Sequence, residues 1–146
     1  MSETNRISTP WHVWVIGVIA LLWNAMGAFD YFMSQTKNEA YMAMFTPEQL
    51  DFFYSFPSWS VALWAFAVWG GVLGCILLLL RNKLAVCVFL ISLICMVINT
   101  IYIYGFTIGM QVMGDPFSLA FSAAIFLVAV FLYLYSKHMQ VKNIVT

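Results

Sequence analysis

Four long apolar runs, residues 11–33, 58–80, 84–104 and 117–136, leave little of this 146-residue chain outside a membrane. Each holds about 20 residues or more, and at a helical rise of roughly 1.5 Å per residue that spans a hydrocarbon core of about 30 Å. Backbone N–H and C=O groups find no water there, so each run must satisfy its own hydrogen bonds as a helix. Only 8% of residues are charged, against about 25% in ordinary soluble domains. A water-soluble fold is excluded. The expected fold class is all-α, a four-helix antiparallel transmembrane bundle. It forms a single integral membrane domain over 1–146, with a short periplasmic interfacial helix near 47–56.

The charges orient the bundle. Arg6, Arg81, Lys83, Lys137 and Lys142 fall at one set of helix ends, and only Lys37 at the other. Positive residues are retained on the cytoplasmic side, so both chain ends and the 81–83 turn are expected there. Asp30, Glu39, Glu48, Asp51 and Asp115 fall on the outer side, and only Glu3 on the inner. The first run is long for a signal-peptide core. It opens with Trp11, His12 and Trp14, and Asp30-Tyr31-Phe32 stands where a small-residue cleavage site would follow. It reads as a retained helix.

Local signals set the boundaries. Pro10 precedes the first helix, and Trp11 and Trp14 suit the inner interface. Thr46, Pro47 and Gln49 have the spacing of a capping box with proline at the first helical position. Leu50, Phe53 and Tyr54 share one face of the helix that follows. This helix either lies on the outer membrane surface or caps the bundle. The short Arg81-Asn82-Lys83 turn makes the second and third spans antiparallel neighbours. Asp115-Pro116 is a cap and first residue for the fourth. Gly70-x-x-x-Gly74 allows close backbone approach, either within the chain or at a subunit contact between two copies.

Polar side chains inside the spans are costly and mark candidate sites. Asn24 lies about 20 Å above Trp11, and Asn99 about 22 Å above Leu84, at the helical rise. The two helices run the same way, so depth matching would let Asn24 and Asn99 face one another. An outward-opening polar pocket with Asn24, Asp30, Asn99 and Trp64 is one reading; plain interhelical hydrogen bonds are the other. Asp30, the only acid inside a span, either carries a proton or reaches interfacial water. Trp64 and Trp69 are expected to be buried, with Trp64 either packing or stacking on a ligand ring. Cys75, Cys87 and Cys95 sit in apolar runs and read as small buried hydrophobes. Two histidines on separate helices without a nearby carboxylate make no metal site. No phosphate loop or hydrolase triad is laid out on one membrane face. No cofactor is expected, and six basic residues give no nucleic-acid footprint.

Trp23-Asn24, Gly27-Ala28-Phe29-Asp30-Tyr31, Asn38-Glu39-Ala40-Tyr41-Met42, Phe45-Thr46-Pro47-Glu48-Gln49-Leu50 and Val68-Trp69-Gly70-Gly71-Val72-Leu73-Gly74 together carry a resemblance over most of residues 11–104. The chain resembles a family of small four-helix inner-membrane proteins of proteobacteria, some of which carry an automatic "sugar transporter" label. The resemblance implies a bacterial inner-membrane protein. It lacks the Pro-Gln motif of small bacterial sugar carriers, and Asn24 stands where small multidrug exporters place an acid. The leading expectation is a non-enzymatic binding or accessory protein for a lipid, a small solute or a membrane partner. A small dimeric solute transporter with Gly70 and Gly74 at its subunit contact is the alternative, and a quinone-linked redox protein the third.

Overall fold

A computed structural model describes residues 9–146. Among them are seven helices and no strand: α1 (Trp11–Gln35), α2 (Glu39–Met42), α3 (Pro47–Tyr54), α4 (Ser58–Leu79), α5 (Leu84–Gly105), α6 (Gly109–Met113) and α7 (Pro116–Val141). The helices α1, α4, α5 and α7 are each long and apolar enough to cross a membrane. The all-α four-helix expectation holds. Arg6 and Glu3, assigned to the inner side above, lie outside the described residues.

The caps form as their sequences dictate. Thr46 Oγ1 accepts the Gln49 N–H at 3.2 Å, and Gln49 Oε1 accepts the Thr46 N–H at 3.1 Å. Two orphan donors of α3 are thereby satisfied reciprocally. Asp115 Oδ2 accepts the Ser118 N–H at 3.0 Å, and Pro116 opens α7. Two short helices, α2 and α6, were not anticipated. α7 also runs past residue 136 to Val141, because Lys137, His138 and Gln140 are compatible with a helix and do not break it.

Three helices end on a left-handed residue, a position that usually favours glycine. Here Lys37 (φ 52°), Arg81 (φ 59°) and Asn143 (φ 60°) occupy it. At the end of α4 the Arg81 N–H bonds Leu78 O at 3.0 Å and the Asn82 N–H bonds Leu77 O at 2.9 Å, which satisfies two otherwise orphaned carbonyls.

Neighbouring spans are antiparallel and in constant register. Gly17 of α1 faces Leu79 of α4, Gly27 faces Val68, and Tyr31 meets Trp64. Between α4 and α5, Ser60 bonds Asn99, Ser92 bonds the Ala67 carbonyl, and Gly74 faces Phe89. α7 packs on α5 through Tyr104 and Ser122 among others. The order round the bundle is α1, α4, α5, α7.

Gly70 and Gly74 both face α5 of the same chain. A Cβ on Gly70 would sit 3.2 Å from the Ser92 Cβ, and one on Gly74 would sit 2.6 Å from the Phe89 ring. Both glycines thus serve the close approach of α4 and α5 within the chain, one of the two uses that the motif allows. At the end of the bundle that carries the 81–83 turn, Val13, Leu78, Ala85, Met139, Ile144 and Val145 form a buried cluster. The segment after α7 is held there by the Thr146 N–H to the Arg81 carbonyl (3.0 Å) and by Arg81 Nε to the Ile144 carbonyl (3.1 Å).

Candidate functional site

The depth match between Asn24 and Asn99 does not survive. Asn24 Nδ2 donates to the Ala20 carbonyl at 2.8 Å and to Cys75 Sγ at 3.5 Å. Asn99 Oδ1 accepts from Ser60 Oγ at 2.6 Å. Their partners on α4, Cys75 and Ser60, lie about 22 Å apart along that helix at the helical rise. The sequence reading assumed that α1 and α5 start level, and they do not. Gly17, not Trp11, is level with Leu79 at the end of α4. Trp11 therefore overhangs that level by about 9 Å at the helical rise. Val13, in this overhang, belongs to the same buried cluster as Ile144 and Val145. Asn24 is correspondingly deeper in the bundle than its count from Trp11 implies.

Asp30 and Trp64 belong to a different assembly, toward the end of the bundle opposite the 81–83 turn. The Tyr41 hydroxyl of α2 donates to Asp30 Oδ1. Tyr31 stands edge-on to Trp64 with ring centroids 4.9 Å apart. Tyr41 also meets Phe29 at 5.9 Å and Phe45 at 6.0 Å, and Phe45 meets Phe53 at 5.3 Å. A chain of rings thus ties α1 to α2 and α3. Burial, then the hydrogen bond that the phenol donates to Asp30 and the negative charge of that carboxylate, push the Tyr41 phenol well above its ordinary range. Trp64 is half-buried against α1. Trp69, expected to be buried, is 48% exposed toward lipid.

The four candidate residues therefore do not line one pocket. Asn24 and Asn99 are spent on separate interhelical hydrogen bonds, Asp30 pins α2, and Trp64 packs on Tyr31. Ser92 and Ser136 donate to the Ala67 and Tyr133 carbonyls, at 2.6 and 2.9 Å. The three cysteines are free thiols; Cys75 is buried, Cys95 partly so, and Cys87 exposed, which corrects the uniform burial expected of them. Among the described residues no group of His, Cys, Asp and Glu is placed to hold a metal.

What the bundle does present is an open seam. α7 is the least buried of the four spanning helices. Two of its contacts with α1 are a 2.5 Å approach of His12 Nδ1 to the Tyr135 hydroxyl, near the start of α1, and the Trp23 and Phe121 rings at 5.9 Å, farther along it. Between these clasps lies a cleft of about 240 Å³ lined by Ile16, Ile19, Ala20, Trp23, Val128, Phe131 and Leu132. Every lining side chain is apolar except for the Trp23 indole N–H. Sequence reasoning missed this site, and also Tyr41, Tyr135 and the His12 contact. The cleft residues look like any other lipid-facing residues in sequence; only the relative rotation of α1 and α7 makes them concave.

No family model, curated protein or solved structure matches the chain.

Proposed function

We propose that this chain is a non-enzymatic, multi-pass integral membrane protein that holds one lipid acyl chain in the seam between α1 and α7, in an accessory role. One observation carries the reading: a concave, hydrocarbon-lined cleft that opens sideways within the spanning part of both helices. Lipid tails are as apolar as leucine, so no hydrophobic gain distinguishes this seat from bulk lipid. Retention would come from the many weak dispersion contacts that a concave wall makes and a flat one does not. The interior polar groups support the same choice among ligands. Asn24, Asn99 and Ser60 already bond one another's helices, which leaves a polar solute few partners.

A bacterial inner-membrane location with both ends cytoplasmic is part of this proposal. It rests on the Arg and Lys distribution and on the family resemblance carried by segments such as Phe45–Leu50. The transporter and redox alternatives gain no supporting contact: Gly70 and Gly74 are taken by α5, and Cys75 is bonded by Asn24.

The test is photocrosslinking with a phospholipid that carries a diazirine near the middle of its acyl chain. Adducts concentrated on peptides containing Ile16–Trp23 and Val128–Leu132 support the reading. Adducts spread evenly over all lipid-facing positions, including Trp69 and Ile98, refute it.

A further inference from the structure

The segment linking α5 to α7 has the wrong chemistry for a loop in water. No charged residue occurs between Lys83 and Asp115, although α5 needs only about 20 residues to cross the hydrocarbon core. Beyond the end of α5, Phe106 is 79% exposed, Ile108 51% and Met110 52%. The opposite side of this segment is covered: Gly109 is buried, and α3 packs against α6. The exposed side chains therefore form one outward-facing apolar ridge on a supported base.

The backbone of the segment is prepared for a dry environment. The Phe106 N–H bonds the Tyr102 carbonyl at 3.0 Å, and the Gly109 N–H bonds Thr107 Oγ1 at 3.2 Å. The Thr107 hydroxyl in turn donates to the Ile103 carbonyl. Gln111 and Val112 N–H groups both reach the Ile108 carbonyl, at 2.9 and 3.0 Å. These bonds spare part of the segment's backbone from needing water, and irregular backbone facing lipid is confined to the interface rather than the hydrocarbon core.

The ridge is also continuous with the lipid-facing belt. Trp59 and Tyr102 pack edge-on at 4.4 Å, and Trp59 is exposed. Amphipathic rings of this kind settle at the headgroup level. Phe106 follows Tyr102 by one helical turn, so the ridge begins where the belt ends.

We infer that Phe106–Met110 is an in-plane membrane element, with Phe106, Ile108 and Met110 inserted into the outer-leaflet phospholipid and α3 covering its water side. Glu48 and Asp51 of α3, both exposed, then face water. The inference is independent of the α1–α7 seam.

The experiment places a nitroxide label on single cysteines in the full chain, reconstituted in phosphatidylcholine–phosphatidylglycerol vesicles. Cys87 and Cys95 are changed to Ala, and buried Cys75 is kept. Labels replace Phe106, Ile108 and Met110 in turn, with Ile101 as the lipid-facing reference and Glu48 as the water reference. All five positions are exposed, so each label is accommodated without repacking. Collision with oxygen is compared with collision with a water-soluble nickel chelate. The expected result is an oxygen preference at 106, 108 and 110 close to that at Ile101 and several-fold above that at Glu48. Ratios equal to that at Glu48 overturn the proposal. So does an immobilised label shielded from both reagents, which would mean that a second copy or another protein covers the ridge.

Discussion

Glycine-to-alanine exchange should have opposite effects at two positions of this bundle. A Cβ on Gly27 meets only a Val68 methyl, at 3.7 Å. That is ordinary contact, so Gly27→Ala should gain the helix-propensity difference, about 1 kcal/mol. A Cβ on Gly74 would lie 2.6 Å from two carbons of the Phe89 ring and 3.0 Å from a third. The Phe89 ring is 3% exposed and cannot swing away. Overpacking of this kind costs about 1–3 kcal/mol. Set against the same propensity gain of about 1 kcal/mol, the variant should lose up to about 2 kcal/mol. The assay is reversible unfolding of the full chain in mixed dodecyl maltoside and SDS micelles, followed by circular dichroism. Phe89→Leu in the Gly74→Ala background removes the clashing ring edge and should recover part of the loss, a coupling that a double-mutant cycle isolates. If Gly74→Ala stabilises as much as Gly27→Ala, α5 does not lie against Gly74 and the packing described here is wrong.

The remaining predictions address the outer end and the turns. The Tyr41 phenol pKa is raised above its ordinary value of 10.0, so the anchoring of α2 should be complete below that pH and lost as pH rises through the higher folded value. Asp30→Asn removes the carboxylate charge and should move the Tyr41 phenolate transition down, as read from the absorbance difference between each protein and its Tyr41→Phe counterpart. An unmoved transition would mean that Asp30 does not hold Tyr41. Asp115, held below its ordinary value of 3.8 first by its hydrogen bond with Ser118, stabilises the start of α7 above that pH, and this should be lost as pH falls through the lower folded value. Amide exchange at Ser118 and Leu119 should therefore quicken in acid for the native chain and much less for Asp115→Asn. Lys37→Gly relieves a left-handed backbone worth about 1–2 kcal/mol. It also gives up the ammonium 4.6 Å from the Tyr54 ring, worth about 0.5–1 kcal/mol. The net result should be a small stabilisation in the same micelle assay, and a clear destabilisation would mean that the Lys37 side chain does more than this contact.

Much of the fold can be read from residues alone, because membrane crossing is a local property. A run of apolar residues must be helical in lipid whatever its neighbours do. The Thr46–Gln49 box and the Asp115-Pro116 start are likewise written within four residues. Site reading failed where the answer depends on how helices slide and rotate against one another. Asn24 and Asn99 look level when counted from their helix starts. They part because α1 overhangs the end of α4, where Val13 joins a buried cluster with Ile144 and Val145. That partner comes from the other end of the chain, and no spacing in α1 announces it. Tyr41 was invisible for a similar reason: only the turn at Lys37 brings α2 back within reach of Asp30. The Phe106–Met110 ridge was partly legible. The absence of charge from Lys83 to Asp115 was present in the sequence, but the exposure of its side chains was not.

The most direct test of the lipid-seam account is native mass spectrometry of the full chain and of Ala20→Phe, with lipid stripped by stepwise collisional activation. Ala20 lines the cleft, so a phenylalanine side chain there would compete for its volume. The account predicts that the native chain keeps one phospholipid after the surrounding lipid is gone, and that Ala20→Phe releases it with the rest while showing an unchanged helical signal. Equal lipid retention by the two proteins would contradict it.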